Sequence, residues 1–402
     1  MTDAETMVLP RSGLTELGVE DPWGEDHGPG GEPEVDSARW RLAAWLVPAL
    51  LMGGLGLLRG GGPVLPGAAE TESAAPLFHL IMRTWVGAFG TSDLALRVPS
   101  TVAAVAAAAM VGALATRLYA PRVGLLAGVI FALLPTSALS AQQAQPYPLA
   151  VLAAVFATWC LVRATDRPGP GPLAVYGAAV LILGSCHLVA LLLVVGHGWV
   201  VLAFRRSMAG WWLLVTAVGV SPAAATVLLG PGRGTWPAPG VAAGSAELAA
   251  APRELFGVAA LGAVLFLLAL FSLPLRRGAA VCTAWAVLPP VVLLLAAQAA
   301  PVWQPRYLLF TLPAWAILGA VALSRVRAGW AAAALVAIAV LAVSVHLDLR
   351  EPAGPQRAGG RLARIVEDWT RPADPPVAAR PAPNGRAGGG ATPSIVAGPA
   401  RS

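Results

Sequence analysis

From Leu42 onward the chain is a succession of apolar stretches separated by short polar turns. Most are roughly 17–22 residues long, the length one helix needs to cross a hydrocarbon core about 30 Å thick. Lipid offers a backbone no hydrogen-bond partner, so a crossing segment must be a helix or a strand of a closed barrel. Barrel strands alternate polar and apolar residues, whereas the runs Val105–Thr116 and Ala331–Val345 do not. Composition agrees, with 57% of residues hydrophobic and 12% charged; a soluble domain carries roughly 25% charge. A soluble enzyme, a coiled coil and a disordered chain are excluded. The expected fold is all-α, a polytopic membrane protein.

The stretches lie near 41–59, 93–117, 122–140, 146–163, 172–186, 187–204, 210–229, 255–275, 279–299, 305–324 and 329–347, about eleven spans. The region 172–204 reads either as two short spans turning near Gly184-Ser185 or as one long tilted helix. Paired arginines punctuate every second turn: Arg39 and Arg41, Arg117 and Arg122, Arg163 and Arg167, Arg205 and Arg206, Arg276 and Arg277, Arg325 and Arg327. Basic residues favour the cytoplasmic side of a membrane. This alternation predicts a cytoplasmic N-terminus and, with an odd count, an extracytoplasmic C-terminus. Alanine, glycine, proline and arginine abound and lysine is absent, a GC-rich composition that points to a bacterial plasma membrane.

Residues 1–37 are expected to be a disordered cytoplasmic tail, residues 38–348 the transmembrane domain and residues 349–402 an extracytoplasmic Pro/Ala/Gly-rich tail. The first apolar run starts too far in, and is too long, for a cleaved signal peptide. Ten acids and one arginine in residues 1–36 make that segment −9, which leaves +15 for the rest of a chain whose net charge is +6. The arginines stand singly or in pairs between apolar runs, which is a topology signal and not a nucleic-acid surface. Cys160, Cys186 and Cys282 lie in apolar segments without metal-ligand spacing and read as small buried hydrophobes.

Two outside loops are long, roughly 60–92 and 230–254. In the first, Pro76–Phe89 is apolar, carries Arg83 and is too short to span, which suits a helix lying along the interface. Trp85 fits the aromatic belt of such an interface.

Between Gly60 and His346 there are six acids: Glu70, Glu72, Asp93, Asp166, Glu247 and Glu254. None falls in mid-membrane, which argues against a proton-coupled transporter. Glu70 and Glu72, just ahead of the interfacial segment, are either solvated loop charges or general bases toward an acceptor hydroxyl. Thr91-Ser92-Asp93 reads as a helix N-cap with an acid in the first turn, and Glu247 and Glu254 read as caps or surface charges. Arg306, beside Tyr307 at an outer edge, can grip a lipid phosphate through a forked contact or simply snorkel to the headgroups. Arg97, one turn into the second span, is costly to leave unpaired in an apolar helix and is expected to pair within the outer loop, or else to touch phosphate. His187 and His197 are ten residues apart, which is not ligand spacing on one helix face, so packing or interhelical hydrogen bonds are expected of them.

The stretch Pro76-Leu77-Phe78-His79-Leu80, then Trp85, Phe89-Gly90, Leu96-Arg97-Val98-Pro99-Ser100, Arg117-Leu118, Gly124-Leu125 and Pro135, resembles the N-terminal half of GT-C-type glycosyltransferases. The match is with the bacterial mannosyltransferase-like branch, related to protein O-mannosyltransferases and aminoarabinose transferases. Ala141-Gln142-Gln143-Ala144-Gln145-Pro146-Tyr147 resembles that branch's "AQEARPY" segment, and Arg306-Tyr307 with Pro313 resembles its "RY…P" segment. His187 and His197 fall where the branch has histidines, and Trp236 resembles a tryptophan of its outer loop. The similarity covers roughly residues 40 to 350.

The resemblance implies a sugar, mannose-like, carried on a polyprenyl phosphate and transferred on the outer face of the membrane. It implies an acid of the first outside loop as base, here Glu70 or Glu72. It implies substrate contacts at Arg306, Tyr307, Arg97, Gln143, Gln145, Tyr147 and His187. No cofactor follows from it, although a divalent metal stays open. The sequence departs from the family's pattern in two places: no Asp-Glu pair follows the first span, and the Glu and Arg of the later segment are Gln143 and Gln145. An amide keeps the shape and hydrogen bonding of a carboxylate but not its charge. Either the acceptor chemistry rests on Glu70 or Glu72, or the protein has the fold and binds a lipid-linked sugar without turnover; a lipid-sugar transporter ranks last, because the membrane interior lacks acids.

Overall fold

The computed structural model describes residues 34–57, 75–229, 243–272 and 277–348. Their order is α1 (Glu34–Leu57), α2 (Pro76–Phe89), α3 (Asp93–Leu118), α4 (Pro121–Leu133), α5 (Pro135–Ala141), α6 (Tyr147–Asp166) and α7 (Pro170–Cys186). A 3-10 turn, Leu188–Leu192, then leads into α8 (Leu193–Phe204), followed by α9 (Ala209–Leu229), α10 (Ser245–Phe256), α11 (Ala259–Leu270) and α12 (Arg277–Ala296). A second 3-10 turn, Pro305–Thr311, leads into α13 (Leu312–Ser324), and α14 (Ala328–Asp348) follows.

These helices fall on the apolar stretches of the sequence. By length and composition six of the described segments can cross a membrane, or up to eight if each of two bent pairs is one crossing. Pro170–Cys186, Leu188–Phe204 and Ala328–Val343 are shorter apolar helices. The segment Pro305–Ser324 is the central one, with 89% of its apolar window buried, while Ala38–Leu57 and Arg206–Leu229 lie at the periphery with 17%. The region 172–204 forms two helices, and the break falls at His187, whose backbone is extended (φ −165°, ψ 121°), rather than at Gly184-Ser185.

The expected span 122–140 is α4 plus α5, bent by 68°. The residue before a proline is steered out of the helical region, and Leu134, before Pro135, sits at φ −59°, ψ 123°. The stretch 255–275 is likewise broken: α10 and α11 meet at 82°. Gly257 ends α10 at φ +87° and donates its N–H to Arg253 O, and Val258 is extended before α11 begins. The two breaks touch, since a Cβ at Gly257 would press on the ring of Pro135. Small residues allow close helix approach elsewhere too, and a side chain at Gly112 would run into the Ala44 carbonyl of α1.

The arginine-bearing turns gather at one end of the bundle. Asp166 pairs with Arg117 at 2.9 Å and with Arg277 at 2.9 Å. Arg277 also donates to Thr165 Oγ1 at 2.5 Å, and Arg205 Nε donates to the Thr165 carbonyl at 3.0 Å. Arg325 caps the end of α11 through Phe271 O at 2.8 Å. Arg205 and Arg325 satisfy helix-end carbonyls, so these arginines serve packing as well as topology. Cys160, Cys186 and Cys282 are free and buried.

Candidate functional site

The opposite end of the bundle carries Arg97, Gln143, Gln145, Tyr147, His187, Arg306 and Tyr307, and α3 organises it. Ser92 caps α3, its hydroxyl accepting from Ala95 N at 3.2 Å, and Asp93 stands in the first turn. Two turns further on, Ser100 and Thr101 hold the segment between α5 and α6. Thr101 Oγ1 donates to Ala141 O at 2.7 Å, and Ser100 Oγ donates to Gln145 O at 3.0 Å while accepting from Gln145 N at 3.3 Å. Gln142 Nε2 ties the same segment to α1 through Leu55 O at 2.7 Å. The Leu96–Ser100 motif is therefore the cradle of the Ala141–Tyr147 motif.

That cradle sets Tyr147 at the start of α6. His187, at the break after α7, lies beside it with ring centroids 5.7 Å apart. On the other side His187 meets Tyr307, of the 3-10 turn Pro305–Thr311, at 5.4 Å. Three predicted residues from distant parts of the chain thus form one buried cluster of rings, tilted to one another by 38° and 51°. Arg306, half-buried, is the chain neighbour of Tyr307, and Gln143 is half-buried two residues before the buried Gln145. Arg97, also half-buried, lies one turn before Thr101 on the same face of α3. The guanidinium of Arg97 makes no ion pair among the described residues, and much of the outer loop in which its pairing is expected lies outside them.

The helix α2 packs on α3 and α7. Its Trp85 donates Nε1–H to Ala95 O at 2.8 Å and stacks on Phe89 at 4.1 Å, while Phe78 and Met82 are buried. Burial lowers the pKa of His79, partly offset by a hydrogen bond to the Ala75 carbonyl. Glu70, Glu72 and Trp236 lie outside the described residues. Glu247 stands in the first turn of α10, near its N-terminus.

The two histidines of the apolar run differ. His197 is satisfied at both ring nitrogens, Nδ1 with Tyr176 Oη at 3.0 Å and Nε2 with Thr158 Oγ1 at 3.1 Å, so it joins three helices. His187 Nε2 is buried with no hydrogen-bond partner, and so is Trp303 Nε1, two residues ahead of the turn that carries Tyr307. Among the described residues no group of three His, Cys, Asp or Glu side chains is placed to hold a metal ion. Ser100, Gln142 and Trp303 were not singled out as site residues. The first two sit inside motifs that were, which is their only advance signal. Nothing local marks Trp303.

No protein-family model matches the chain, and no curated protein matches it in sequence. Solved structures do match in shape. ArnT from Cupriavidus metallidurans in the apo state superposes with a TM-score of 0.56 at 16% identity, over 77% of this chain and 64% of that one. ArnT from the same organism bound to undecaprenyl phosphate matches with a TM-score of 0.50 at 15% identity, over 83% of this chain and 72% of that one. The chain thus spans 64% of the length of the first of these proteins. The likeness is one of architecture: the protein is an all-α, multi-pass membrane protein with the GT-C-like fold of ArnT.

Proposed function

We propose that the protein is a membrane glycosyltransferase that moves a mannose-like sugar from a polyprenyl-phosphate carrier to an acceptor on the extracytoplasmic face of a bacterial cell membrane. The observation that carries this reading is the convergence of Tyr147, His187 and Tyr307, with Arg306 adjoining, at the end of the bundle remote from the arginine turns. The ArnT fold supports it, since one ArnT structure is bound to undecaprenyl phosphate. In the reaction the bond from the sugar's anomeric carbon to the carrier phosphate breaks and a bond to the acceptor oxygen forms. Glu70 or Glu72 takes the acceptor's proton. Arg306, with Arg97, steadies the negative charge gathering on the departing phosphate, and Gln143, Gln145, Tyr147, Tyr307 and His187 bind and orient donor and carrier.

A second reading rests on Gln143 and Gln145. At both positions an amide stands where the resembled branch has a charge, so the protein would bind a lipid-linked sugar without turning it over. Membranes containing the full chain and a polyprenyl-phosphate donor with a labelled sugar separate the two. Replacing Glu70→Gln and Glu72→Gln together is expected to lower transfer by about 10²-fold or more while carrier binding persists. Transfer unchanged in the double variant would remove both glutamates from the mechanism. Carrier binding that weakens in Arg306→Ala, with no transfer by the unaltered protein, would establish the second reading.

A further inference from the structure

The turns at the arginine end of the bundle form one continuous surface. Arg122, at the start of α4, stands over the ring of Trp40 of α1 at 5.6 Å, and Arg117, at the end of α3, stands over Trp159 of α6 at 5.3 Å. Asp166 joins α3, α6 and α12 through Arg117 and Arg277, and Arg205, after α8, reaches Thr165 beside it. Ten arginines of these turns are exposed. Beyond Glu34 and Asp36, Asp166 is the one acid at this end among the described residues, and two arginines already share it. So many charges of one sign on the end of an apolar bundle produce a strong field that draws counter-charge.

The chain carries that counter-charge itself. Residues 1–36 hold ten acids and one arginine, a net charge of −9. Five of the acids, Glu16, Glu20, Asp21, Glu25 and Asp26, fall within eleven residues that hold no base. The segment is rooted at Glu34, the first residue of α1, close before Trp40 and so at the arginine end. A Gly/Pro-rich chain of its length reaches about 30 Å, the width of about three packed helices. Tethering gives it an effective concentration of about a millimolar at that surface. Each exposed ion pair is weak, but many pairs on one tether act together. Residues 349–402 are no rival, since they hold eight arginines against four acids. Anionic lipid headgroups compete for the same guanidinium groups, without the tether.

We propose that the acidic segment of residues 1–36 docks by charge pairing on the arginine end of its own bundle. It neutralises there a field that otherwise gathers anionic lipid. The inference is independent of sugar transfer at the opposite end.

The test uses the full chain, one copy per nanodisc of zwitterionic lipid, and phenylglyoxal, which modifies accessible guanidinium groups, with mass spectrometry reading each arginine. The comparison is with a variant carrying Glu16→Gln, Glu20→Gln, Asp21→Asn, Glu25→Gln and Asp26→Asn together, all outside the bundle. At low salt Arg167, Arg206 and Arg327 are expected to react about threefold or more slowly in the parent than in the variant. Arg83, exposed on α2, is expected to react equally in both, and the difference is expected to vanish at about 1 M salt, where screening is nearly complete. Equal rates in the two proteins at low salt would overturn the proposal. So would a difference that survives high salt, or one of the same size at Arg83, which would mark a general change in the protein. Protection that appears only when phosphatidylglycerol is added to the disc, and equally in parent and variant, would make lipid headgroups the occupant and overturn it as well.

Discussion

The hydroxyl of Thr136 donates to the carbonyl of Leu255 at 2.7 Å, joining the first turn of α5 to the last turn of α10 across 119 residues. Each helix is broken at that place, one by Pro135 and the other by Gly257. A helix end leaves carbonyls without intrahelical partners, and in an apolar bundle no water replaces them. Thr136→Val keeps the side chain's shape and removes the donor. It is expected to cost about 1 kcal/mol, read as a lower thermal midpoint of the purified protein in detergent, with Thr136→Ser close to the parent.

Ser100 links the same architecture to the site. Its hydroxyl both donates to and accepts from the Gln145 backbone, 45 residues on. Ser100→Ala leaves the Gln145 carbonyl without this donor, while the N–H keeps the Gln143 carbonyl at 2.9 Å, and is expected to destabilise the protein by about 1 kcal/mol or more. Because the segment also sets the position of Tyr147, undecaprenyl phosphate binding is expected to weaken as well. A titration of carrier against the variant checks both effects, and unchanged affinity would uncouple the segment from the site.

At the other end Asp166 neutralises two arginines from different turns. The groups are about one-third exposed, at 31–38% by side chain, and pairs of that kind contribute about 1 kcal/mol or less each. Asp166→Asn is expected to lower the melting temperature modestly at low salt and by less at high salt, since screening weakens the parent's own pairs. Melting curves at two ionic strengths check it, and a salt-independent loss would point to packing.

The histidine of α2 gives a pH dependence. Burial holds the pKa of His79 below its ordinary 6.5 in the folded protein. The unfolded chain then binds more protons than the folded one as pH drops through 6.5, so stability falls on acidification. The contribution is fully present above the unfolded value, and its loss is complete once pH lies below the folded one. His79→Gln is expected to flatten the stability profile in that acid window, as unfolding curves of both proteins between about pH 5 and 7.5 would show. A profile as steep as the parent's would assign the dependence to other groups.

What the residues alone determined is the helical, membrane-spanning class, the position of nearly every apolar segment, the short helix Pro76–Phe89 and the cap at Ser92. These are local properties: the length of an apolar run sets whether it can cross lipid, and a serine before an acid sets where a helix starts. Tertiary structure decided the rest. The resemblance grouped Tyr147, His187 and Tyr307 by motif, but that their rings form one cluster depends on how α6, the break after α7 and the turn before α13 pack. The sequence treats His187 and His197 alike, yet one is bonded at both nitrogens and the other is left with an unpaired one. Periodicity reports which residues avoid water, whereas the partner of a buried polar atom comes from segments far away in the chain, so only the assembled bundle can supply it or withhold it.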